Sequence, residues 1–237
     1  MEAIVLAGGR PDDPLAKKFG VASKALLPYR GRPLVEHTLQ ALQQAGLELI
    51  LVGPPGAYTP APSHHLGDQG SLLANLKAGL EAARSERVLV ATGDMPLLSK
   101  EAVRWVVDNA PVAAFVYPIV PRALIEARFP GMRRTYARVR EGTFTGGNLV
   151  LLDKKLFHTA LPLLQQALAL RKNPLALARL IGLGTLFGVL LGKASIPVLE
   201  ARVSSLLKAP VRALITPYPE VGVDVDQERD LAWLDRV

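Results

Sequence analysis

Short apolar runs alternate with segments of helical period through the first half of the chain, and this rhythm restricts the folds open to it. The runs read as strands buried on both faces, and strands joined by helices build a parallel sheet with helices on each side. We therefore predict an α/β fold with a doubly wound, mainly parallel sheet. In chain order the segments are IVLA, Leu34 to Ala45, ELILVG, Ser71 to Ala83, RVLVATGD, Ser99 to Asn109 and VAAFVYPI.

The second half is less regular and richer in helix. We expect one domain over residues 1–237 with a helical insertion at about 160–207, followed by a strand, a turn, a short strand carrying Asp224 and Asp226, and a closing helix. The nearly all-apolar segment Leu175 to Gly192 contains Arg179 and four glycines and is too short to span a membrane. A buried helix pair, a substrate lid and a contact in a homo-oligomer all stay open for it.

Composition narrows the classes of partner. With no cysteine the chain has neither disulfides nor thiolate metal sites, and without a basic and apolar leader we expect a cytoplasmic protein. The net charge of +7 suits an anionic partner, although a solvated basic surface would give the same charge. Only 5% of residues are aromatic and no stacking platform is visible, so we expect no nucleic acid partner.

The first predicted strand ends in Gly8 and Gly9 and leads into a basic stretch. Glycines after a first strand let the backbone approach a ligand, and their amides suit anionic oxygens. The pattern is neither G-x-G-x-x-G nor G-x-x-x-x-G-K-[ST], and two prolines prevent an immediate helix, so we expect a long basic phosphate loop. A surface loop with incidental lysines is the alternative. Its basic residues are Arg10, Lys17, Lys18 and Lys24.

Carboxylates follow two other predicted strands. Asp94 should lie on the same rim as the glycines, because ligands of open α/β sheets bind beyond the carboxyl ends of the strands. Asp224 and Asp226 share one face of an extended segment by the period-2 rule. Carboxylates beside phosphates are typical Mg²⁺ ligands, so we predict Mg²⁺ at Asp94, Asp226 and Asp224. Helix capping is the alternative role for Asp94 and for Asp226.

Two further clusters are weaker candidates. His64 and His65 with Asp68 could bind a transition metal, but adjacent histidines point apart in an extended chain and the surrounding sequence reads as a loop. Four arginines on the predicted strand TYARVR and just before it could line a pocket for an acceptor phosphate, and a solvated face is an equal alternative. They are Arg133, Arg134, Arg138 and Arg140.

Five motifs in order resemble the MobA-like NTP transferases, which include the molybdenum cofactor guanylyltransferase. They are LAGGR, KALLPYRGRPLVEHTL, GDMPLL, GGNLVLLD and GVDVDQERDL. The resemblance implies a Rossmann-like fold of the nucleotide-diphospho-sugar transferase type, with Lys24 and Asp94 as catalytic residues. It implies acceptor contacts at Gly147 and Asn148. The implied nucleotide-binding residues are Leu6, Ala7, Gly8, Gly9, Arg10, Lys24, Gly70, Ser71 and Asp94.

The implied activity is transfer of NMP from an NTP, GTP or CTP above all, to a phosphorylated small molecule, with Mg²⁺ and release of pyrophosphate. A sugar 1-phosphate or a cobinamide phosphate as acceptor is one alternative, and a non-catalytic nucleotide or nucleic-acid binding protein is another. A glycosyltransferase would hold its metal on an Asp-x-Asp pair after a middle strand, whereas DVD here lies close to the C-terminus. The sequence leaves open the nucleotide, the acceptor and the oligomeric state.

Overall fold

The computed structural model describes residues 1–9, 12–170 and 193–234. The helices are α1 (Pro14–Phe19), α2 (Leu34–Gln44), α3 (Leu72–Ala82), α4 (Lys100–Asn109), α5 (Arg122–Arg128), α6 (Lys154–Leu170), α7 (Ile196–Leu207) and α8 (Glu228–Leu234), with 3-10 turns at Lys24–Leu26 and Pro219–Gly222. The strands are β1 (Glu2–Leu6), β2 (Pro28–Tyr29), β3 (Arg32–Pro33), β4 (Glu48–Gly53), β5 (His64–Gly67), β6 (Arg87–Thr92), β7 (Phe115–Pro121), β8 (Ala137–Val139), β9 (Gly142–Gly146), β10 (Leu149–Asp153) and β11 (Val211–Ile215).

Nine of the described strands form one mixed sheet in the order β5-β4-β1-β6-β10-β7-β9-β8, and β11 pairs with β7. Strands β5, β4, β1 and β6 run parallel, β10 is antiparallel to its neighbours, and β11 is parallel to β7. The mainly parallel, doubly wound α/β sheet predicted from the sequence is therefore confirmed. The carboxyl ends of β1 and β6 lie side by side, because Leu6 pairs with Thr92.

Helices cover both faces of this sheet. Along β1, Ala3 and Val5 pack into one apolar cluster with Leu39 of α2 and Val103 of α4. Ile4 points to the opposite face and packs with Leu80 of α3 and Phe157 of α6. This alternation explains why the parallel strands read as continuous apolar runs, since each face needs its own apolar side chains.

The structure corrects three sequence-based expectations. The region of His64, read as a loop, is the edge strand β5, which pairs with β4. The basic loop after Gly9 contains α1, because Pro14 takes the first helical position, where a missing amide hydrogen costs nothing. No strand forms around Asp224, since the amide of Val225 donates to the carbonyl of Asp94 (3.0 Å) instead of to a strand.

Helices α6 and α7 flank residues 171–192, which lie outside the described residues. The apolar segment 175–192 is part of this range. The predicted insertion at about 160–207 includes these residues and stays a prediction, as does the homo-oligomer contact. Within the described residues, no helix combines the length and apolar character needed to cross a membrane.

Candidate active site

The turn after β1 needs glycine at both positions because neighbouring groups leave no space for a side chain. A Cβ on Gly8 would overlap the side chains of Asn75 and Asp68, and one on Gly9 would overlap the carbonyl of Ala22. The amide of Gly9 donates to Asp68 Oδ2 (2.8 Å). A carboxylate therefore holds one of the amides that the sequence assigns to phosphate oxygens.

Asp68 is fixed by three donors. Besides the Gly9 amide, the Gly70 amide and Asn75 Nδ2 donate to Oδ1 at 2.9 Å and 3.0 Å. Burial opposes ionisation, but these hydrogen bonds outweigh it and lower the pKa of Asp68. Asp68 therefore links the glycine turn to the start of α3. From the sequence we considered this side chain only as a possible metal ligand.

Lys24 bridges two carboxylates. Its Nζ lies 2.6 Å from Asp94 Oδ2 and 2.7 Å from Asp226 Oδ1, and it donates to the carbonyl of Val225 at 3.1 Å. Burial opposes the charge of Lys24, but the negative charges of Asp94 and Asp226 outweigh it and raise the pKa of this lysine. Ser23, fully buried, holds the turn in place by donating to the carbonyl of Ala7 (2.7 Å).

Three carboxylates meet at this rim. Ligand oxygens of Asp94, Asp224 and Asp226 all lie within 4.8 Å of one another, although Asp94 is far from the other two in the sequence. The helix-cap alternative for Asp94 fails because Ser99 Oγ accepts from the Ala102 amide and caps α4 itself. The period-2 prediction that Asp224 and Asp226 face one site agrees with this cluster. Among the described residues it is the one group of this kind.

The donor set fits a hard divalent cation. Carboxylate oxygens are typical ligands of Mg²⁺ in proteins, and Asp94 Oδ1 is buried and has no hydrogen-bond partner within the part of the chain that the structure describes. Such an orphan acceptor at the centre of an acidic cluster is explained if a cation approaches it. Arg134 pairs with Asp224, and both side chains are nearly buried, at 9% and 11% exposure.

A cavity of about 460 Å³, here called the carboxylate cavity, brings these groups together. Its walls include the predicted nucleotide and metal residues that the structure describes. They are Leu6, Ala7, Gly8, Gly9, Lys24, Gly70, Ser71, Asp94, Asp224 and Asp226. The cavity also contains side chains that the sequence reading missed, Asp13, Ser23, Asn75 and Thr92. Their signal was weak because short polar residues near strand ends serve equally well as caps and turn formers.

Of the basic residues after the glycines, Lys24 is the one described residue that reaches the carboxylate cavity. Lys17 and Lys18 lie in the last turn of α1 and are absent from its walls, and Lys18 pairs with Glu228 (2.5 Å) at the surface. Arg10 lies outside the described residues.

A second cavity, of about 470 Å³, adjoins the first through Asp224 and Asp226; we call it the arginine cavity. Arg133, Arg134, Arg229 and Asn148 line it, whereas Arg138 and Arg140 do not and are exposed. Gly146 and Asn148 form part of the wall of the arginine cavity. Gly147 lies between them in the sequence, and its amide donates to the carbonyl of Pro118 (2.9 Å). Asn148 Nδ2 is buried and has no partner among the described residues.

The histidine cluster does not assemble. His65 Nε2 lies 3.0 Å from the carbonyl of Pro54, and Asp68 is committed to the glycine turn. Adjacent residues of a strand face opposite sides, which keeps His64 and His65 apart as expected.

The comparisons with known proteins agree with this geometry. The family described as the MobA-like NTP transferase domain matches residues 3–177. A solved structure, a hypothetical transferase from Thermus thermophilus, is 59% identical, covers 98% of this chain and 100% of its own, and superposes with a TM-score of 0.92. A 2-C-methyl-D-erythritol 4-phosphate cytidylyltransferase, also from Thermus thermophilus, is 19% identical over 100% of this chain and 98% of its own, and shares the fold with a TM-score of 0.56.

Curated relatives carry the name of molybdenum cofactor guanylyltransferase. The protein from Xanthomonas euvesicatoria is 38% identical over 40% of this chain and 48% of its own length, and that of Pseudomonas putida is 27% identical over 75% of this chain and 81% of its own. The first three matches span 48% to 52% of those relatives. The family match extends over most of the chain and includes Lys24, Asp94 and all of β1 except Glu2. The predicted resemblance is thus confirmed, and the chain belongs to the MobA-like NTP transferase domain family.

Proposed function

We propose that this protein is a nucleotidyltransferase that moves NMP from an NTP to a phosphorylated small-molecule acceptor and releases pyrophosphate. One observation carries the proposal: Lys24, Asp94 and Asp226 meet beside the glycine turn, in one cavity at the carboxyl ends of β1 and β6. Parts from three distant regions of the sequence form a single site for a phosphorylated ligand and a cation. GTP is our first candidate because relatives are named guanylyltransferases, and CTP is the second.

The chain supplies several groups that suit a triphosphate. The amides of Gly8 and Gly9 and the start of α3, with Ser71 as its N-cap, border the cavity. The N-terminus of an 11-residue helix carries partial positive charge, which favours phosphate oxygens. Lys24 adds a full charge, which its raised pKa keeps protonated at neutral pH. These groups would hold the α-phosphate and neutralise charge as the leaving pyrophosphate forms.

Asp94 and Asp226, with Asp224 beside them, would hold Mg²⁺. When bound, the ion supplies charge neutralisation at the phosphates and a template that orients the reacting oxygens. A phosphate monoester is already ionised at neutral pH, so its oxygen can attack the α-phosphorus without a general base. The P–O bond to the β-phosphate breaks, and pyrophosphate leaves with the electron pair. The arginine cavity is the place we assign to the acceptor phosphate.

Thermal denaturation with GTP, CTP, ATP or UTP, with and without Mg²⁺, tests the site. A ligand at a hundred times its Kd stabilises a protein by about 2.7 kcal/mol, and a chain of this size gains about 2–4 °C in Tm per kcal/mol. We expect one nucleotide to raise Tm by about 5–10 °C in a Mg²⁺-dependent way. Asp94→Asn should abolish the Mg²⁺ dependence, whereas Asp108→Asn, on the exposed face of α4, should keep it. No shift with any of the four nucleotides would refute the proposal.

The reaction itself is tested by the leaving group. With the preferred NTP and the molybdenum cofactor or a sugar 1-phosphate as acceptor, we expect inorganic pyrophosphate to appear in step with loss of NTP. Lys24→Ala should lower turnover on the order of a hundredfold or more, as loss of a charged transition-state contact does. Nucleoside diphosphate released from a nucleotide sugar would support a glycosyltransferase instead. Binding without turnover of any acceptor would support a sensor.

A further inference from the structure

An apolar cavity of about 480 Å³ opens beside the arginine cavity and shares no lining residue with the carboxylate cavity. It lies between the sheet and α7, and Phe115, Phe144, Leu199 and Val203 form much of its wall. We propose that the acceptor substrate is an amphiphile, a phosphate monoester whose hydrocarbon body lies in this apolar cavity while its phosphate lies in the arginine cavity. The inference rests on the proposed function and names the chemical class of its acceptor.

The charges around the arginine cavity favour a phosphate there. The acidic side chains at the arginine cavity are already held, Asp224 by Arg134, Asp226 by Lys24, and Asp230 by the amides of Asp226 and Gln227. The guanidinium groups of Arg133 and Arg229 make no ion pair with any of the described residues. Two uncommitted arginines next to compensated carboxylates favour an anion, and a guanidinium fork matches phosphate oxygens.

The two cavities adjoin each other. Tyr117, Thr135, Thr145 and Gly146 line both of them, so the polar end and the apolar end meet at these four residues. A Cβ on Gly146 would overlap the Tyr117 hydroxyl, and glycine therefore lets this tyrosine lie across the junction. A tyrosine has an apolar ring and a polar tip, which suits the boundary between a hydrocarbon chain and a phosphate.

The charged residues of the apolar cavity do not oppose this assignment. Glu200 accepts from the amide of Ala213 (2.8 Å) and lies 3.9 Å from Arg212, so its carboxylate is partnered at the edge of β11. Burial raises the pKa of Tyr117, which keeps its phenol neutral beside a phosphate.

A further apolar cavity adjoins this one on the side away from the site. Phe115 and Val203 form part of this further cavity, of about 460 Å³, whose walls are leucine, valine and phenylalanine side chains of α3, α6, α7 and the sheet, with one alanine. Each cavity has the volume typical of a small-molecule site. A polar acceptor such as a sugar phosphate would leave this space without contacts, whereas an alkyl or isoprenoid-like chain would fill it.

Isothermal titration calorimetry on the full chain, below the critical micelle concentration, tests the proposal with decyl phosphate, inorganic phosphate and uncharged decyl maltoside. We expect decyl phosphate to bind at least about a hundredfold more tightly than inorganic phosphate, since each buried methylene adds affinity. It should also bind at least about tenfold more tightly than decyl maltoside. Equal binding of decyl phosphate and either comparison ligand would overturn the proposal.

Two variants locate the ligand. Ala213→Phe fills the apolar cavity and should weaken decyl phosphate at least about tenfold, whereas the matched Ala127→Phe on the exposed face of α5 should not. Arg133 is exposed, so Arg133→Gln should leave the fold intact. This variant should weaken the binding of decyl phosphate about tenfold, because the phosphate loses a charged partner. Unchanged affinity in both Ala213→Phe and Arg133→Gln would place the ligand elsewhere and refute the assignment.

Nucleotide binding to the same preparations separates the two proposals. If Mg²⁺ and NTP raise Tm in the wild type and in Ala213→Phe, both proteins are folded and the nucleotide site stands, whatever decyl phosphate does. If decyl phosphate binds as expected and no nucleotide does, the nucleotidyltransferase proposal fails while the amphiphile site remains.

Discussion

Lys24 offers the sharpest test of the site. Its removal should lower the stability of the free protein and strengthen the binding of Mg²⁺. In Lys24→Met the buried carboxylate of Asp94, 4% exposed, loses a charge at 2.6 Å. Breaking a fully buried ion pair costs about 3–5 kcal/mol. Lys24 is 26% exposed and Asp226 is 57% exposed, so solvent screens part of the loss and we discount the cost to about 2–3 kcal/mol.

For a chain of this length that cost should lower Tm by about 4–12 °C at pH about 8. Mg²⁺ without nucleotide should then restore much of the loss, since the cation replaces the missing positive charge and no longer competes with Lys24 for the same oxygens. In the wild type the same Mg²⁺ concentration should shift Tm much less.

Differential scanning fluorimetry with a Mg²⁺ titration measures both effects. Lys77→Met is the matched control, because Lys77 forms an exposed pair with Glu81 (2.8 Å) within α3 and should cost at most about 0.5 kcal/mol. Equal loss of Tm in the two variants, or an equal response to Mg²⁺ in Lys24→Met and the wild type, would refute the reasoning.

Three further predictions concern the glycine turn, the second ion pair and the acid limb of stability. Gly9→Ala should weaken nucleotide binding by more than tenfold in calorimetry, because its Cβ meets the carbonyl of Ala22, whereas Gly67→Ala, with open space around its Cβ, should bind normally. Arg134→Met should lower the free energy of unfolding by about 2–4 kcal/mol in urea, because Asp224 stays buried without its cation, and an unchanged midpoint would contradict this. Burial opposes ionisation of Glu2, yet the amides of Arg84 and Ser85 outweigh it and lower its pKa below the ordinary 4.5. The stabilisation of the folded protein by ionised Glu2 is therefore complete above the unfolded-state pKa and is lost as pH falls through the folded-state pKa. In Glu2→Gln, Tm should consequently fall less steeply below pH about 4.5.

The sequence predicted the sheet well because period and apolar content are local properties. The strand β4 and the helices α2, α3 and α4 begin and end within one residue of the predicted segments, and Ser71 and Ser99 are caps instead of first helical residues. The edge strand β5 was missed because its four residues include two histidines and carry little β signal.

The part of the site that could be predicted from the sequence consists of residues at the ends of strands. Gly8 and Asp94 follow parallel strands, and topology alone places them on one rim. The partners of the charged groups were not predictable. Arg134 reaches Asp224 across 90 residues, and Gly9 meets Asp68 across 59, so only the folded chain shows these pairs.

These pairs have a consequence for how the site binds its ligands. Lys24 holds Asp94 and Asp226, Arg134 holds Asp224, and Asp68 holds the Gly9 amide, so the groups expected to meet Mg²⁺ and phosphate already have protein partners. If the site binds Mg²⁺ and a nucleotide as proposed, Mg²⁺ alone would have to displace Lys24 and leave its charge half-buried, and a triphosphate alone would meet three carboxylates. With both present, Asp94, Asp224 and Asp226 would hold the cation, and Lys24 and the Gly9 amide would be released for the phosphates. Each ligand would then remove the cost that the other faces, so we expect the two to bind with positive coupling.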